Sequence, residues 1–262
     1  MNHFLTEEQE MLKELCAQIA REKIVPVRAE YDESGEFPWD VVKVMAESDI
    51  YGVYIPEEYG GFGGGVTEMC IATEELSKAC GGIALAFAAS ALGTMPILLF
   101  GSEEQKRKYL PPIAAGEKLA AFALTEANAG SDAGAIETRA ELDGDEYVLN
   151  GTKQWITNGG EAEVYTVVAR TRKGIGIRGI SCFIVEKDTP GFTFGKKEDK
   201  MGIRASATRE LVFQDCRVPK ENLLGREGMG FMIAMRTFDQ SRPGVAAQAV
   251  GIAQGAFDEA AK

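Results

Sequence analysis

The chain has 262 residues, of which 45% are hydrophobic and 26% charged, and it carries a net charge of −12. That length allows one large domain or two ordinary ones, and the balance excludes a disordered chain. The acidity argues against a nucleic-acid surface, which needs clustered lysine and arginine to meet phosphate.

The first part reads as helices. Thr6-Glu7-Glu8-Gln9 has the form of a capping box, and Leu12, Leu15, Cys16 and Ile19 then share one helical face. Pro26 bends or ends that helix, because a ring nitrogen cannot donate in its interior. Pro38-Trp39-Asp40 opens a second helix that runs to about Glu47. Residues 56–65 contain so many glycines that neither helix nor strand is stable there. Residues 67–80, 82–100 and 102–110 read as further helices, and Ser102 and Gln105 repeat the capping-box spacing. The uncharged run 82–100 approaches membrane-spanning length. Its many alanines, its Ser90, Gly93, Thr94 and Pro96, and its lack of a basic flank make it a buried core helix rather than a membrane span.

Near Leu119 the pattern changes to short β-branched or alternating runs between turn signals. Asp143-Gly144-Asp145 reads as a hairpin turn, and Asn150-Gly151 as a second one before the strand 153–157. Residues 164–169, 180–185, 192–194 and 210–213 complete a set of strands with no helix between them. Such a set favours an antiparallel barrel or sandwich. Helical spacing returns at about Gly230, and the chain stops at Ala260-Ala261-Lys262 in mid-pattern, which reads as the start of a further helical domain.

Cys16, Cys70, Cys80, Cys182 and Cys216 are dispersed without CxxC spacing, as reduced thiols of a cytoplasmic protein would be. His3 is the single histidine, so neither a His/Cys metal site nor a histidine-based nucleophile is supported. No secretory signal is legible, and the N-terminus is too acidic for a mitochondrial transit peptide. Gly174-Ile175-Gly176-Ile177-Arg178-Gly179 matches GxGxxG, but a dinucleotide site needs a helix after it and here a strand follows. It reads as a hairpin loop.

Two segments carry candidate chemistry. Residues 123–135 hold the hydroxyls of Thr125 and Ser131, and Ala129-Gly130 permits a ligand to approach exposed backbone N–H groups. Such a set suits a ring with polar edges or a pyrophosphate; a capped turn at Ser131-Asp132 accounts for the same residues. About twenty residues on, Trp155 offers a flat apolar face and Thr157 a hydroxyl on the same side of a strand. A tryptophan is also an ordinary core residue, although Asn158-Gly159-Gly160 marks a strand end.

The ordered set Pro56-Glu57-Glu58-Tyr59-Gly60-Gly61, residues 123–135, residues 150–158, Lys200-Met201-Gly202-Ile203-Arg204, residues 218–222 and residues 238–243 resembles the acyl-CoA dehydrogenase family along essentially the whole chain. The resemblance implies an α+β multidomain fold: a helical N-terminal domain (1–120), an antiparallel β-barrel middle domain (121–229), and the first helix (230–262) of a C-terminal helical bundle. FAD would lie between the last two. Phe122, Leu124, Thr125 and Ser131 would line the isoalloxazine, Trp155 and Thr157 would cover it from the other lip, and Ser131, Asp239 and Arg242 would touch the CoA moiety.

The implied reaction is α,β-dehydrogenation of an acyl-CoA, with electrons passing to an electron-transferring flavoprotein and homotetrameric assembly of the full-length protein. In most members the catalytic glutamate lies beyond the position of Lys262, and a minority carry it where Ser241 stands here. A serine is no base at neutral pH without activation, so no catalytic residue is assigned within the chain. The helix 82–100 matches the one that lines the acyl pocket, where Ala84, Ala86, Ala88, Ala89 and Ala91 leave room and the lack of a cation disfavours a dicarboxylate. The same scaffold would also suit an oxygen-reactive acyl-CoA oxidase, a flavin monooxygenase, or a non-catalytic acyl-CoA-binding module.

Overall fold

The structure, a computed structural model, describes residues 4–262; His3 lies outside them. Helix α1 (Glu7–Ile19) starts at the Thr6 capping box and passes into a π-helical turn, Ala20–Ile24, ahead of Pro26. Cys16 and Ile19 are buried, but Leu15 is 38% exposed, so the inward face is narrower than its spacing suggests. Helices α2 (Arg28–Ser34), α3 (Trp39–Glu47), α4 (Val66–Ala79), α5 (Gly81–Phe100) and α6 (Glu103–Ala114) follow. The Gly-rich connector between α3 and α4 holds only short 3-10 turns.

The apolar run is α5, and it lies inside the molecule, packed on α4, α6, the last helix and the first strand. Gly93 explains how close that packing is: a Cβ there would sit 2.4 Å from the Ala121 nitrogen. Ala84, Ala86, Ala89 and Ala91 are buried along the same helix.

The sheet contains β1 (Ala120–Ala123), β2 (Arg139–Asp143), β3 (Glu146–Thr157), β4 (Val164–Arg170), β5 (Ile180–Glu186), β6 (Phe192–Lys197), β7 (Thr208–Pro219) and β8 (Leu223–Leu224). Its order is β6-β7-β3-β2-β4-β5-β8, with β1 beside β4. The expected antiparallel barrel is corrected on two counts. The pairs β1–β4 and β2–β4 are parallel, and the edge strands β6 and β8 do not pair, so the sheet is mixed and open.

Among the described residues, the strand ladder between the two halves is the single pair Arg139 opposite Arg170. Aromatic rings fill the space between: Tyr147 meets Phe183 at 4.8 Å, and Tyr165 meets Phe192 at 4.9 Å. The free edges are covered instead of closed. Gln105 on α6 donates to the carbonyls of Glu221 and Leu223 beside β8, and Lys197 on β6 donates to the Gly35 carbonyl after α2.

Asn150-Gly151 is not a turn. β3 runs on through it, opposite a bulge on β7. A Cβ on Gly151 would lie 2.6 Å from Thr138 Oγ1, and Asn150 uses its amide to bind both the backbone N–H and the carboxylate of Asp215. GxGxxG lies in the connection between β4 and β5, as its context predicts, with a strand after it. The chain then enters α7 (Gly230–Ala260), which starts against Ser181 on β5 and continues along α4. Gly251 and Gly255 permit that contact, since a Cβ at either would fall 2.3 Å or less from a backbone oxygen of α4, Glu74 or Lys78.

Candidate functional site

After Ala123 the chain leaves the sheet as the loop 124–136. Glu126 and Ala129 exchange two backbone bonds of 3.1 Å and close a tight turn with residues 127–128 exposed at its tip. The Ala129 N–H is therefore committed to Glu126, which corrects the expectation that it faces a ligand. Beneath the turn the Glu126 carboxylate accepts from the backbone of Glu137 (2.6 Å) and Thr138 (3.0 Å).

The second lip is stitched to the first. Lys153 on β3 is wholly buried; its Nζ lies 2.7 Å from Glu126 Oε1 and donates to the Leu124 carbonyl at 2.9 Å. The Gln154 N–H donates to the Thr125 carbonyl at 2.9 Å. Burial pulls the Lys153 ammonium down to about 8 against the opposing pull of Glu126. For Glu126, burial alone would raise the carboxyl; Lys153 and the hydrogen bonds from Thr138 and Glu137 outweigh it and hold it below its ordinary value.

Immediately after Lys153 the register against β7 shifts, and the bulge reverses which residues face inward. Tyr147, Leu149 and Lys153 are buried before it, and Ile156 after it. Trp155 sits on the bulge with φ 57° and its side chain 56% exposed. A left-handed backbone costs an L-residue about 1–2 kcal/mol, and a bulky residue more than half exposed there recovers only part of the packing that a buried one would. Thr157 is half-buried beside it. Asn158, also left-handed at φ 59°, is buried and ties the strand end to α5 and β1 through the carbonyls of Ala86 (3.2 Å) and Ala120 (3.3 Å).

Ser131 is exposed on the loop. Arg170 on β4 holds that loop from behind, donating to the carbonyls of Ile136 (3.1 Å), Gly134 (2.8 Å) and Gly176 (3.0 Å). Phe122 and Leu124 are largely buried, 9% and 6% exposed. Phe122 meets Phe238 of α7 edge-on at 5.7 Å, and the Arg242 guanidinium lies 5.5 Å over that Phe238 ring. The structure thus connects Arg242 to the β1 end of the site. Asp239 is turned to solvent and pairs with Arg236 at 3.8 Å. Ser241 is buried on α7.

A cleft of about 840 Å³, lined by Ser102, Lys108, Tyr109, Glu186 and Asn222 among others, lies elsewhere, between α6 and the sheet. Its central carboxylate, Glu186, is already taken by Lys108 (2.7 Å) and Tyr109 (2.9 Å). Of the sequence-predicted residues, Thr125 is brought beside the strand end that carries Trp155 and Thr157, through the Gln154–Thr125 bond. Their chemistry fits a flavin: an exposed indole, the hydroxyls of Thr125, Ser131 and Thr157, and the Thr125 N–H, none hydrogen-bonded among the described residues. No group of His, Cys, Asp and Glu there is arranged to hold a metal.

Sequence reasoning gave no role to Lys153, Glu126 or Arg170. For Lys153 a signal existed, because it shares the inward parity of Tyr147 and Leu149, and a lysine facing a core needs a partner.

Comparison with known proteins supplies the context. The profile of the acyl-CoA dehydrogenase N-terminal domain matches residues 6–117, and that of the middle domain matches residues 121–216. The chain is 50% identical to the short-chain-specific acyl-CoA dehydrogenase of Clostridium acetobutylicum, over 99% of this chain and 69% of that protein. Among solved structures it is similar to butyryl-CoA dehydrogenase of Megasphaera elsdenii (47% identity, TM-score 0.96, 100% of this chain and 70% of that one). It is also similar to a chain in the structure of the electron transferring flavoprotein of Acidaminococcus fermentans (52%, TM-score 0.95, 98% and 68%). An acyl-CoA dehydrogenase from Bacillus anthracis complexed with FAD is 40% identical (TM-score 0.86, 96% and 44%). The chain spans about two thirds of the length of the curated relatives it matches. Two adjoining profile matches and near-half identity from end to end show that the chain belongs to the acyl-CoA dehydrogenase family, whose members are flavoproteins that use FAD.

Proposed function

We propose that the protein takes part in the α,β-dehydrogenation of a short-chain acyl-CoA to the 2-enoyl-CoA, with electrons leaving to an electron-transferring flavoprotein. The observation that carries this reading is Trp155, a strained and exposed aromatic beside unpaired hydroxyls, in a chain of this family. The choice of a short acyl group is supported by the relatives specific for short-chain and butyryl substrates.

FAD, when bound, supplies the hydride-accepting ring. Trp155 would cover one face of it, and Thr125 and Thr157 would hydrogen-bond its polar edge. Ser131, Asp239 and Arg242 would hold the CoA arm. The Phe122–Phe238 contact would shield the β1 end of that site from water. Ser241 lacks the basicity to accept an α-proton and is given no proton-transfer role here.

The test is the visible flavin spectrum of the full-length protein under anaerobic conditions as butyryl-CoA is added. Bleaching by butyryl-CoA, with slow reoxidation by oxygen and fast reoxidation by an electron-transferring flavoprotein, is the expected result. A flavin that no acyl-CoA bleaches would sink the dehydrogenase reading, and rapid reoxidation by oxygen alone would replace it with an oxidase.

A further inference from the structure

We infer that the buried pair Lys153–Glu126 is a positioning and polarising device for the flavin, acting through the peptide between Leu124 and Thr125. The inference rests on reading Thr125, Trp155 and Thr157 as the flavin-binding face. Lys153 Nζ donates to the Leu124 carbonyl at 2.9 Å and is held there by Glu126 at 2.7 Å. The described chain has no cis peptide, so the Thr125 N–H points away from its neighbouring carbonyl, toward the side opposite Lys153. That N–H has no acceptor among the described residues.

A peptide whose oxygen receives an ammonium hydrogen bond is a stronger N–H donor at its other end, because hydrogen bonds in a chain polarise one another. The donor is thus both aimed and strengthened without any charge being placed against the ligand. Glu126 has a second hold: it accepts from the N–H groups of Glu137 and Thr138, which fixes the two ends of the loop carrying Ser131 relative to each other. Reduction of a flavin adds electron density at its polar edge, so a strengthened donor there favours the reduced ring over the oxidised one.

The experiment compares the full-length protein with Lys153→Met and with the double variant Lys153→Met/Glu126→Gln. The second variant strands no buried charge and keeps the test open if the first does not fold. Folding is judged by circular dichroism and a single cooperative thermal transition. FAD affinity is read by fluorescence quenching, and the flavin midpoint potential by anaerobic dye equilibration. Arg217→Gln, in the exposed pair at the other end of β3, is the control.

The expected result is FAD binding about tenfold weaker in the folded variants. The midpoint is expected to fall by about 30 mV, a tenfold preference for a two-electron couple, with the control unchanged. A folded double variant with the parent's affinity and midpoint would overturn the inference and leave the pair a staple of the fold. Failure of the parent protein itself to hold FAD would overturn the flavin reading along with it, a different and separable outcome.

Discussion

The β3–β7 ladder carries two bulges, the first with its extra residue on β7 and the second with it on β3, and they are built in opposite ways. At the first, every unusual feature is answered from inside the chain. Gly151 has no side chain because Thr138 occupies the space, and Asn150 uses its amide on Asp215. At the second, a tryptophan takes the left-handed backbone, and its indole is left half in solvent with no hydrogen-bond partner among the described residues. Strain that the fold itself uses marks architecture. Strain with no internal beneficiary marks a place where something else binds. The two sites lie four residues apart, with Lys153 between them anchoring the second.

Lys153→Met should have the largest effect on stability. Removing one member of a buried ion pair costs about 3–5 kcal/mol, to be read from urea unfolding at neutral pH. The pH dependence sharpens the assignment. Glu126, held below its ordinary value, contributes stability that is complete above the unfolded carboxyl pKa near 4.5 and is lost as pH falls through the depressed folded value. Lys153 has the opposite history: depressed to about 8 from 10.5, it burdens the folded state at lower pH. The unfolded chain binds the extra proton between those two values, so that burden is relieved as pH climbs from 8 to 10.5. Unfolding free energies of the parent minus the Lys153→Met/Glu126→Gln variant should therefore fall on acidification and rise across the alkaline window. A flat difference would mean that neither group's pKa changes on folding, against the shifts given for both.

Gly151→Ala should follow, with a loss of about 1–3 kcal/mol from a strained φ and the clash with Thr138. Its residual FAD affinity should be near normal once folding is restored at low temperature. Trp155→Gly tests the contrast most directly, because the two readouts should move apart. Relief of the left-handed backbone offsets the entropy of the new glycine, so thermal stability without flavin should hold or rise by about 1 kcal/mol. FAD binding should weaken about tenfold, the worth of a lost stacking contact of about 1.4 kcal/mol. A Trp155→Gly protein that loses several kcal/mol of stability would make Trp155 a core residue after all. The smallest effect belongs to Arg217→Gln: the arginine is half exposed and pairs with Asp143 at 2.8 Å and Glu146 at 3.0 Å, in a setting where such pairs contribute under about 1 kcal/mol.

The sequence by itself determined most of the local elements and the family that the chain belongs to. The capping boxes at Thr6 and Ser102, the apolar core helix and the return to helix at Gly230 were legible because caps and periodicity act within a few residues. Thr125, Ser131, Trp155 and Thr157 were put forward as site residues because their segments resemble those of one family in order and spacing. The tertiary structure decided what depends on contacts between distant strands. Whether the sheet closes turns on how the aromatic rings of its two halves fill the space between them, and no single strand carries that information. Asn150-Gly151 has turn chemistry locally, yet it continues strand β3 because Thr138, just ahead of β2, and Asp215, on β7, meet it from elsewhere in the chain. The Lys153–Glu126 pair likewise joins residues 27 apart in sequence, and only folding shows that the charge a core ought to exclude is the one that holds the two lips together.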